Sequence, residues 1–342
     1  MSKLDVIQKY LTNDLRIFRE PFFDHMEEIQ VISSTDETTW KEPLYRVPKL
    51  DFFESWYVCG IVGGRRPSTY SESPRLWNTY FNKLGVKGVL FGLDLPMDQD
   101  FNKFFQAVLD TPDILDLTVT DPYKSDAFEA LNHIGVPVEW TDQARDTKAV
   151  NHIIVDASQV KITALNTDGI GMVWAVKEKH DISGKKILII GAGGAAVSIG
   201  YEFVKAGCDL SILNRTPSRA EKLKDLFSRY KAPSRRIDWG GFDRLSSFLN
   251  DADVLINTVA EGCPLNAENI KYGKEGMILA EAKYGPKAEL RDLAREAGLA
   301  YVDGRAMLFG QFVEAVRFVY PLFGIPDDHN RTVIAEMKGT YM

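Results

Sequence analysis

Ile187-Leu188-Ile189-Ile190-Gly191-Ala192-Gly193-Gly194-Ala195-Ala196 decides the fold. Four branched aliphatic side chains in a row read as a strand buried on both faces. The segment after them fits G-x-G-x-x-A, with Gly191, Gly193 and Ala196 in the three fixed places. Gly191 permits a tight turn, Gly193 lets a pyrophosphate approach the backbone, and Ala196 allows close helix–strand packing. The N-terminus of the helix that follows offers free N–H groups and a partial positive charge to an anion, and Gly194 and Ala195 count with Gly191 and Gly193 as cofactor-binding residues. A glycine turn also joins strands to helices where no ligand binds. The order of strand, turn, helix to Lys205 and next strand Leu210–Leu213 favours dinucleotide binding.

The end of that next strand selects the cofactor. A site for NAD usually places an acid there, on the ribose 2′-hydroxyl. This chain has Asn214-Arg215-Thr216 and then Arg219. Two guanidinium groups and a hydroxyl suit a 2′-phosphate, so NADP is expected rather than NAD. The plainer reading makes Arg215 and Arg219 solvated helix residues.

Outward from this unit, Val254–Ile256, Met277–Ala280 and Tyr301–Val302 read as further strands. Upstream, strands at Trp56–Val62, Gly88–Leu93 and Ile114–Thr120 alternate with helices after Ser73-Pro74, through Phe101–Val108, and from Lys124 to Ile134. Alternation of this kind predicts an α/β fold with mostly parallel sheets. A helix over 168–179 links the two series. The expected plan is an N-terminal extension (1–54), a substrate-binding domain (55–168, rejoined by a C-terminal helix in 306–342), and a Rossmann-type domain (169–305). The active site is expected in a crevice between the two domains. In the extension, Val6, Tyr10, Leu11, Leu15 and Phe18 recur at helical spacing. They suggest a cover on the catalytic domain or a contact in a homodimer.

Composition narrows the function. A formal net charge of −7 argues against general nucleic-acid binding, which needs clustered Lys and Arg. Cys59, Cys208 and Cys263 are far apart and form no metal-ligand motif, so no metal is expected. No apolar run is read as a membrane span, and the N-terminus lacks a secretory pattern. A cytoplasmic protein with reduced thiols and a small-molecule substrate is the expectation.

Several motifs then fall in one order. They are Ser71-Glu72-Ser73-Pro74 with Asn78, Val119-Thr120-Asp121-Pro122-Tyr123-Lys124, Ala149-Val150-Asn151, and Asn166-Thr167-Asp168-Gly169. Tyr284-Gly285-Pro286, Asp303-Gly304 and Met307-Leu308-Phe309-Gly310-Gln311 follow. Together with the Gly191 turn and Asn214-Arg215-Thr216, they resemble the shikimate dehydrogenase family over residues 60–320. The cofactor half alone is shared with glutamyl-tRNA reductases; the substrate half makes the resemblance specific.

Oxidising a secondary alcohol removes a hydride from carbon and a proton from oxygen, and a positioned side chain must take that proton. Lys124 stands at a strand-to-helix junction, where α/β sheets present their ligands. Asp168 stands where the linking helix begins. The resemblance implies that Lys124 and Asp168 are the catalytic pair. It implies that Ser71 and Ser73 hold a substrate carboxylate and that Thr120, Asn151, Asp168 and Gln311 bind ring hydroxyls. Tyr284 would lie near both carboxylate and nicotinamide, and Met307 would pack on the nicotinamide. Read without the resemblance, Lys124 is an exposed helix-start lysine, Asp168 and Ser73 are helix N-caps, and Met307 is core.

The implied activity is NADP-dependent, reversible interconversion of 3-dehydroshikimate and shikimate or a close cyclic polyol carboxylate. The chain departs from the family pattern at Trp77 (His in the family), Thr118 (Asn), Asp121 (apolar), His152 (Thr) and Glu281 (Asp). These departures raise quinate or an amino-substituted shikimate as alternative substrates. A methylene-tetrahydrofolate dehydrogenase relative is disfavoured by Ser71, Ser73 and the Asn166–Gly169 segment. A ligand sensor without catalysis is the alternative from another class.

Overall fold

The computed structural model describes residues 57–110, 114–156, 161–285 and 288–341, together with Lys9, Tyr10, Ile29–Val31 and Arg46–Pro48. The helix expected in the N-terminal extension lies outside the described residues, except that Lys9 and Tyr10 are helical. The Tyr10 ring meets Phe104 edge-on, with centroids 6.2 Å apart. Strands β1 (Ile29–Val31) and β2 (Arg46–Pro48) form an antiparallel pair.

The chain divides into two compact units, Met1–Asn166 with Ala315–Gly339, and Thr167–Glu314 with Thr340–Met342. The division falls just before the helix Asp168–Lys177.

In the first unit the strands are β3 (Tyr57–Gly63), β4 (Gly88–Asp94), β5 (Ile114–Val119), β6 (Val138–Trp140), β7 (His152–Asp156) and β8 (Lys161–Leu165). They form one sheet in the order β4-β3-β5-β7-β8-β6. β3 pairs parallel with β4 and β5, but β7 runs antiparallel to both β5 and β8. The sheet is mostly parallel, as expected, with β7 alone reversed. Every residue of the edge strand β4 is buried, which explains its apolar run. Leu117, Val119, Val62, Phe91 and Ile153 share one core with Phe101, Phe104, Phe105 and Tyr123. Asp100 caps the helix Phe101–Leu109, accepting from the Asn102 N–H at 2.9 Å.

The helix expected after Ser73-Pro74 runs Ser73–Leu84, but Ser73 is its first residue rather than its cap. Glu72 occupies the cap position and makes no side-chain cap bond. Proline fits the second helical position as well as the first, because no N–H there has an intrahelical acceptor. The C-terminal segment packs on this helix: Tyr80 Oη donates to Asn330 Oδ1 at 2.5 Å, and Phe323 meets Phe81 at 5.9 Å. In place of one C-terminal helix there are two, Gly304–Val319 and Asp327–Tyr341, joined by a 3₁₀ turn at Tyr320–Phe323.

The second unit is built on β9 (Lys186–Ile190), β10 (Asp209–Leu213), β11 (Ile237–Gly240), β12 (Val254–Asn257), β13 (Ile278–Glu281) and β14 (Ala300–Val302). All are parallel, in the order β11-β10-β9-β12-β13-β14. In chain order this is 3-2-1-4-5-6, the dinucleotide-binding arrangement, in which the crevice opens beyond the carboxyl ends of the first and fourth strands. By length and composition Gly304–Phe323 is apolar enough to cross a membrane. Its Phe309, Phe312, Ala315, Val316 and Val319 are buried within the protein, so core packing accounts for that apolarity.

Candidate functional site

The strand order of the second unit reverses between β9 and β12, and the glycine turn sits at that point. Thr258, just past β12, bonds the last carbonyl of β9 twice, through its N–H at 2.9 Å and its Oγ1 at 2.8 Å. Gly191 must pass beside it. Its φ is +114°, and a Cβ there would stand 2.4 Å from Thr258 Oγ1. Both facts restrict the position to glycine. Gly193 is different. A Cβ on it would meet no protein atom within 4 Å, and its φ of −94° suits any residue. The protein itself therefore does not require glycine at 193, whereas a pyrophosphate lying against the backbone would. Gly193 also caps the helix Gly194–Lys205 without a side-chain bond, which leaves the first-turn N–H groups to a ligand. Gly194 is exposed, Ala195 is half-buried and Ala196 is fully buried in the unit's core. The residues present fit a dinucleotide.

These two glycines separate in a test. Gly191→Ala should lose about 1–3 kcal/mol of stability, seen as a lower Tm, through strain and the Thr258 clash. Gly193→Ala should leave Tm unchanged and weaken NADPH binding about tenfold or more by fluorescence titration.

At the end of β10, Asn214 Nδ2 turns back to the Thr216 carbonyl at 3.0 Å. Thr216 precedes the helix Pro217–Phe227 but does not use its hydroxyl to cap it. Arg215 and Arg219 are exposed, and among the described residues neither guanidinium has an ion pair. Two uncommitted cations thus flank the strand end, with no acid at the position that would favour NAD.

In the first unit, the candidate substrate residues collect at the carboxyl end of β3 and β5. The Val119 N–H donates to the Asn151 carbonyl at 2.8 Å, and the Val150 N–H donates to the Lys124 carbonyl at 2.9 Å. These bonds tie the Ala149–Asn151 segment to the strand end and to the start of the helix Lys124–Asn132. Lys124 is half-buried, and Asn151 is buried. Asn166 Nδ2 reinforces the segment by donating to the Ala149 carbonyl at 3.2 Å. Ser71 Oγ accepts from the Ser73 N–H at 3.2 Å. The Ser73 hydroxyl takes no part in capping.

Tyr70, which the sequence reading passed over, belongs to this edge. Its phenol bonds the Thr120 hydroxyl, and burial raises its pKa, with the Asp121 charge adding to the rise and the Thr120 bond opposing it. The phenol stays protonated. Asp121 pairs with Arg65 at 3.3 Å on the exposed surface.

In the second unit, Asp168 is the first residue of its helix and Thr167 is the cap, so the N-cap reading of Asp168 does not hold. Asp168 is 3% exposed. One turn on, Gly171 crosses the helix Gly304–Val319 at Gly310. A Cβ on Gly171 would stand 2.6 Å from both the Met307 carbonyl and Gln311 Cγ, and one on Gly310 would stand 2.7 Å from the Gly171 carbonyl. This crossing sets Gln311 against the first turn of the Asp168 helix. Met307 is buried in the core of the unit. Tyr284 is half-buried in the loop after β13, and its motif partner Pro286 lies outside the described residues. Glu281, where the family has Asp, is fully buried and structural. It accepts from the N–H groups of Glu289 and Leu290, at 3.0 Å each, and from Tyr301 Oη at 2.7 Å.

Comparison with known proteins covers both units. Residues 64–153 match the shikimate dehydrogenase substrate binding domain, and residues 174–277 match the shikimate / quinate 5-dehydrogenase family. The shikimate dehydrogenase (NADP(+)) of Pyrococcus abyssi is 31% identical over 271 residues, covering 77% of this chain and 93% of the relative. The protein of the same name from Methanopyrus kandleri is 31% identical over 267 residues, covering 74% and 87%. A solved shikimate dehydrogenase in complex with NADP+ shares the fold with a TM-score of 0.66 at 24% identity, covering 83% of this chain and 96% of that one. Quinate dehydrogenase from Corynebacterium glutamicum, in complex with NAD, shares it with a TM-score of 0.65 at 22% identity, covering 82% and 99%.

Proposed function

We propose a division of labour for this chain, which belongs to the shikimate dehydrogenase family: residues 55–168 with 306–342 bind a cyclic polyol carboxylate, and residues 169–305 hold NADP. The protein is an NADP-dependent oxidoreductase that interconverts 3-dehydroshikimate and shikimate, or a close relative of that pair. One observation carries the reading: the likeness to a shikimate dehydrogenase runs through both units and over 93% of that enzyme. The free thiols of Cys59, Cys208 and Cys263 accord with a reducing, cytoplasmic setting.

Each candidate residue then has a chemical task. The Gly191–Ala195 turn receives the pyrophosphate on its N–H groups, and Arg215 and Arg219, with Asn214 and Thr216, take the 2′-phosphate. The bound nicotinamide supplies the hydride acceptor. Ser71 and Ser73 donate to the substrate carboxylate. The helix Ser73–Leu84 supports them, because its first turn carries no side-chain cap and its N-terminus attracts an anion. Thr120, Asn151 and Gln311 bind ring hydroxyls, and Tyr70 fixes the direction of the Thr120 hydroxyl. Lys124 Nζ takes the proton from the reacting hydroxyl and returns it to the ketone oxygen in reverse. Asp168 is the second member of the catalytic pair. Tyr284 closes the carboxylate end, and Met307 backs the cofactor from the core.

A second reading has a specific observation behind it. Thr118 and His152 depart from the family beside Thr120 and Asn151, which points to an altered ring substituent, as in quinate or an aminoshikimate. Initial rates with NADP+ against shikimate, quinate and aminoshikimate decide between them. The first reading expects the highest kcat/KM with shikimate. A clear preference for either analogue would establish the second.

A further inference from the structure

Beneath the substrate edge lies a polar cluster that the mechanism above does not use. His152 pairs in register with Thr118 across β5 and β7. Its Nδ1 lies 3.4 Å from Thr118 Oγ1 and 3.3 Å from Asp116 Oδ1. Asp116 is fully buried, and His152 is 3% exposed. A buried carboxylate needs a donor, and the Nδ1–H of His152 supplies it. On the other side of Asp116 is Cys59, whose thiol is pushed up by burial and by the Asp116 charge and so stays neutral. The Trp77 ring closes the cluster, 6.3 Å from the imidazole between centroids. Three of the five departures from the family pattern, at positions 77, 118 and 152, therefore meet around one imidazole.

The ring has a second nitrogen. Among the described residues His152 hydrogen-bonds through Nδ1 alone, and Nε2 is not one of the fully enclosed side-chain atoms left without a partner. Nδ1 and Nε2 look out of nearly opposite edges of an imidazole. Asp116, on the Nδ1 side, lies back along β5 from Thr118, towards the amino end of the strand. Nε2 is the ring nitrogen that Asp116 and Thr118 leave unengaged, and His152 directly follows Asn151 in the chain. With its proton held on Nδ1 by Asp116, Nε2 is an acceptor.

We propose that His152 is a specificity-determining residue: Nε2 accepts a hydrogen bond from one ring hydroxyl of the substrate, and Asp116 is the positioning residue that fixes the tautomer able to do so. This deepens the functional reading above and rests on it. A hydroxyl that reaches Nε2 is selected, and an analogue lacking it leaves that acceptor unmatched.

The test measures NADP+-linked turnover of shikimate and of analogues lacking one ring hydroxyl at a time, alongside calorimetric binding of shikimate to the protein alone. For one analogue the wild-type protein should show a kcat/KM about 100-fold below that of shikimate. In His152→Phe that gap should fall to within about fivefold, through a higher KM for shikimate, and shikimate binding should weaken to match. His152→Gln, whose amide oxygen can accept, should restore part of the gap. Asp116→Asn, which donates to Nδ1 and moves the proton to Nε2, should lose the same discrimination. NADPH affinity should stay unchanged in all three. If His152→Phe keeps every wild-type ratio while all rates fall together, His152 is structural and the proposal is overturned. If the wild-type protein turns over neither shikimate nor any analogue, the functional reading itself fails.

Discussion

Lys124→Ala should lower kcat for NADP-linked oxidation of shikimate by about three orders of magnitude, the upper part of the range for loss of a general acid–base group. The fold should survive the change. The Lys124 backbone carbonyl, which accepts from Val150, is untouched by truncating the side chain. The helix it begins is nine residues long, and Asp126 remains in its first turn. NADPH binding should also be unchanged, because the turn and both arginines belong to the second unit. A loss in kcat with unchanged cofactor affinity and Tm would mark a group used in the transition state. Asp168→Asn should fall between wild type and Lys124→Ala. A Lys124→Ala variant within about threefold of wild-type kcat would place the proton on another group.

The second large effect concerns the cofactor. Replacing Arg215 and Arg219 together by Ala should raise KM for NADP+ by about 100-fold and leave KM for NAD+ nearly unchanged, so the preference for NADP+ disappears. The magnitude is the low end for two charge-assisted contacts to one phosphate, about 1.5 kcal/mol each, because both side chains are exposed to solvent. Stability should not move, since both side chains are exposed and neither pairs with an acid among the described residues. Steady-state kinetics with each cofactor measure the ratio. An equal loss with NAD+ would show that the arginines serve the turn as a whole rather than the 2′-phosphate.

The sequence was most legible where the chain has least freedom. The Ile187–Ala196 stretch announces its strand, turn and helix because the strand is buried on both faces and Gly191 has no tolerated substitute. Strands β10, β12 and β13 follow for the same reason, with nearly unbroken apolar runs. The strands not foreseen lack that signature. β11 (Ile237–Gly240) and β6 (Val138–Trp140) are short edge strands, and each alternates partly buried with exposed residues. β7 and β8 form an antiparallel hairpin inside a series that otherwise reads as strand–helix alternation. The runs Ile153–Val155 and Ile162–Thr163 were their available signal.

The site divides in the same way. Motifs mark residues that act through their own position in the chain, such as Ser71, Ser73, Lys124 and the glycine turn. They do not mark residues that act through distant partners. Asp116 meets His152 across 36 residues, and Tyr70 meets Thr120 across a strand-to-loop contact. No local pattern records either pairing. The helix start expected at Pro74 was displaced by one residue to Ser73, because proline suits the second helical position as well as the first, whereas the start at Asp168 fell where the sequence put it.

The central claim is that a hydride passes from a ring carbinol carbon to NADP+. It is tested most directly with shikimate carrying deuterium on the carbon to be oxidised, incubated with the protein and NADP+. The account predicts absorbance rising at 340 nm, reduced cofactor one mass unit heavier, and formation of the corresponding ketone. Reduced cofactor without deuterium, or no reduction of NADP+ by a protein that binds NADPH, would contradict it.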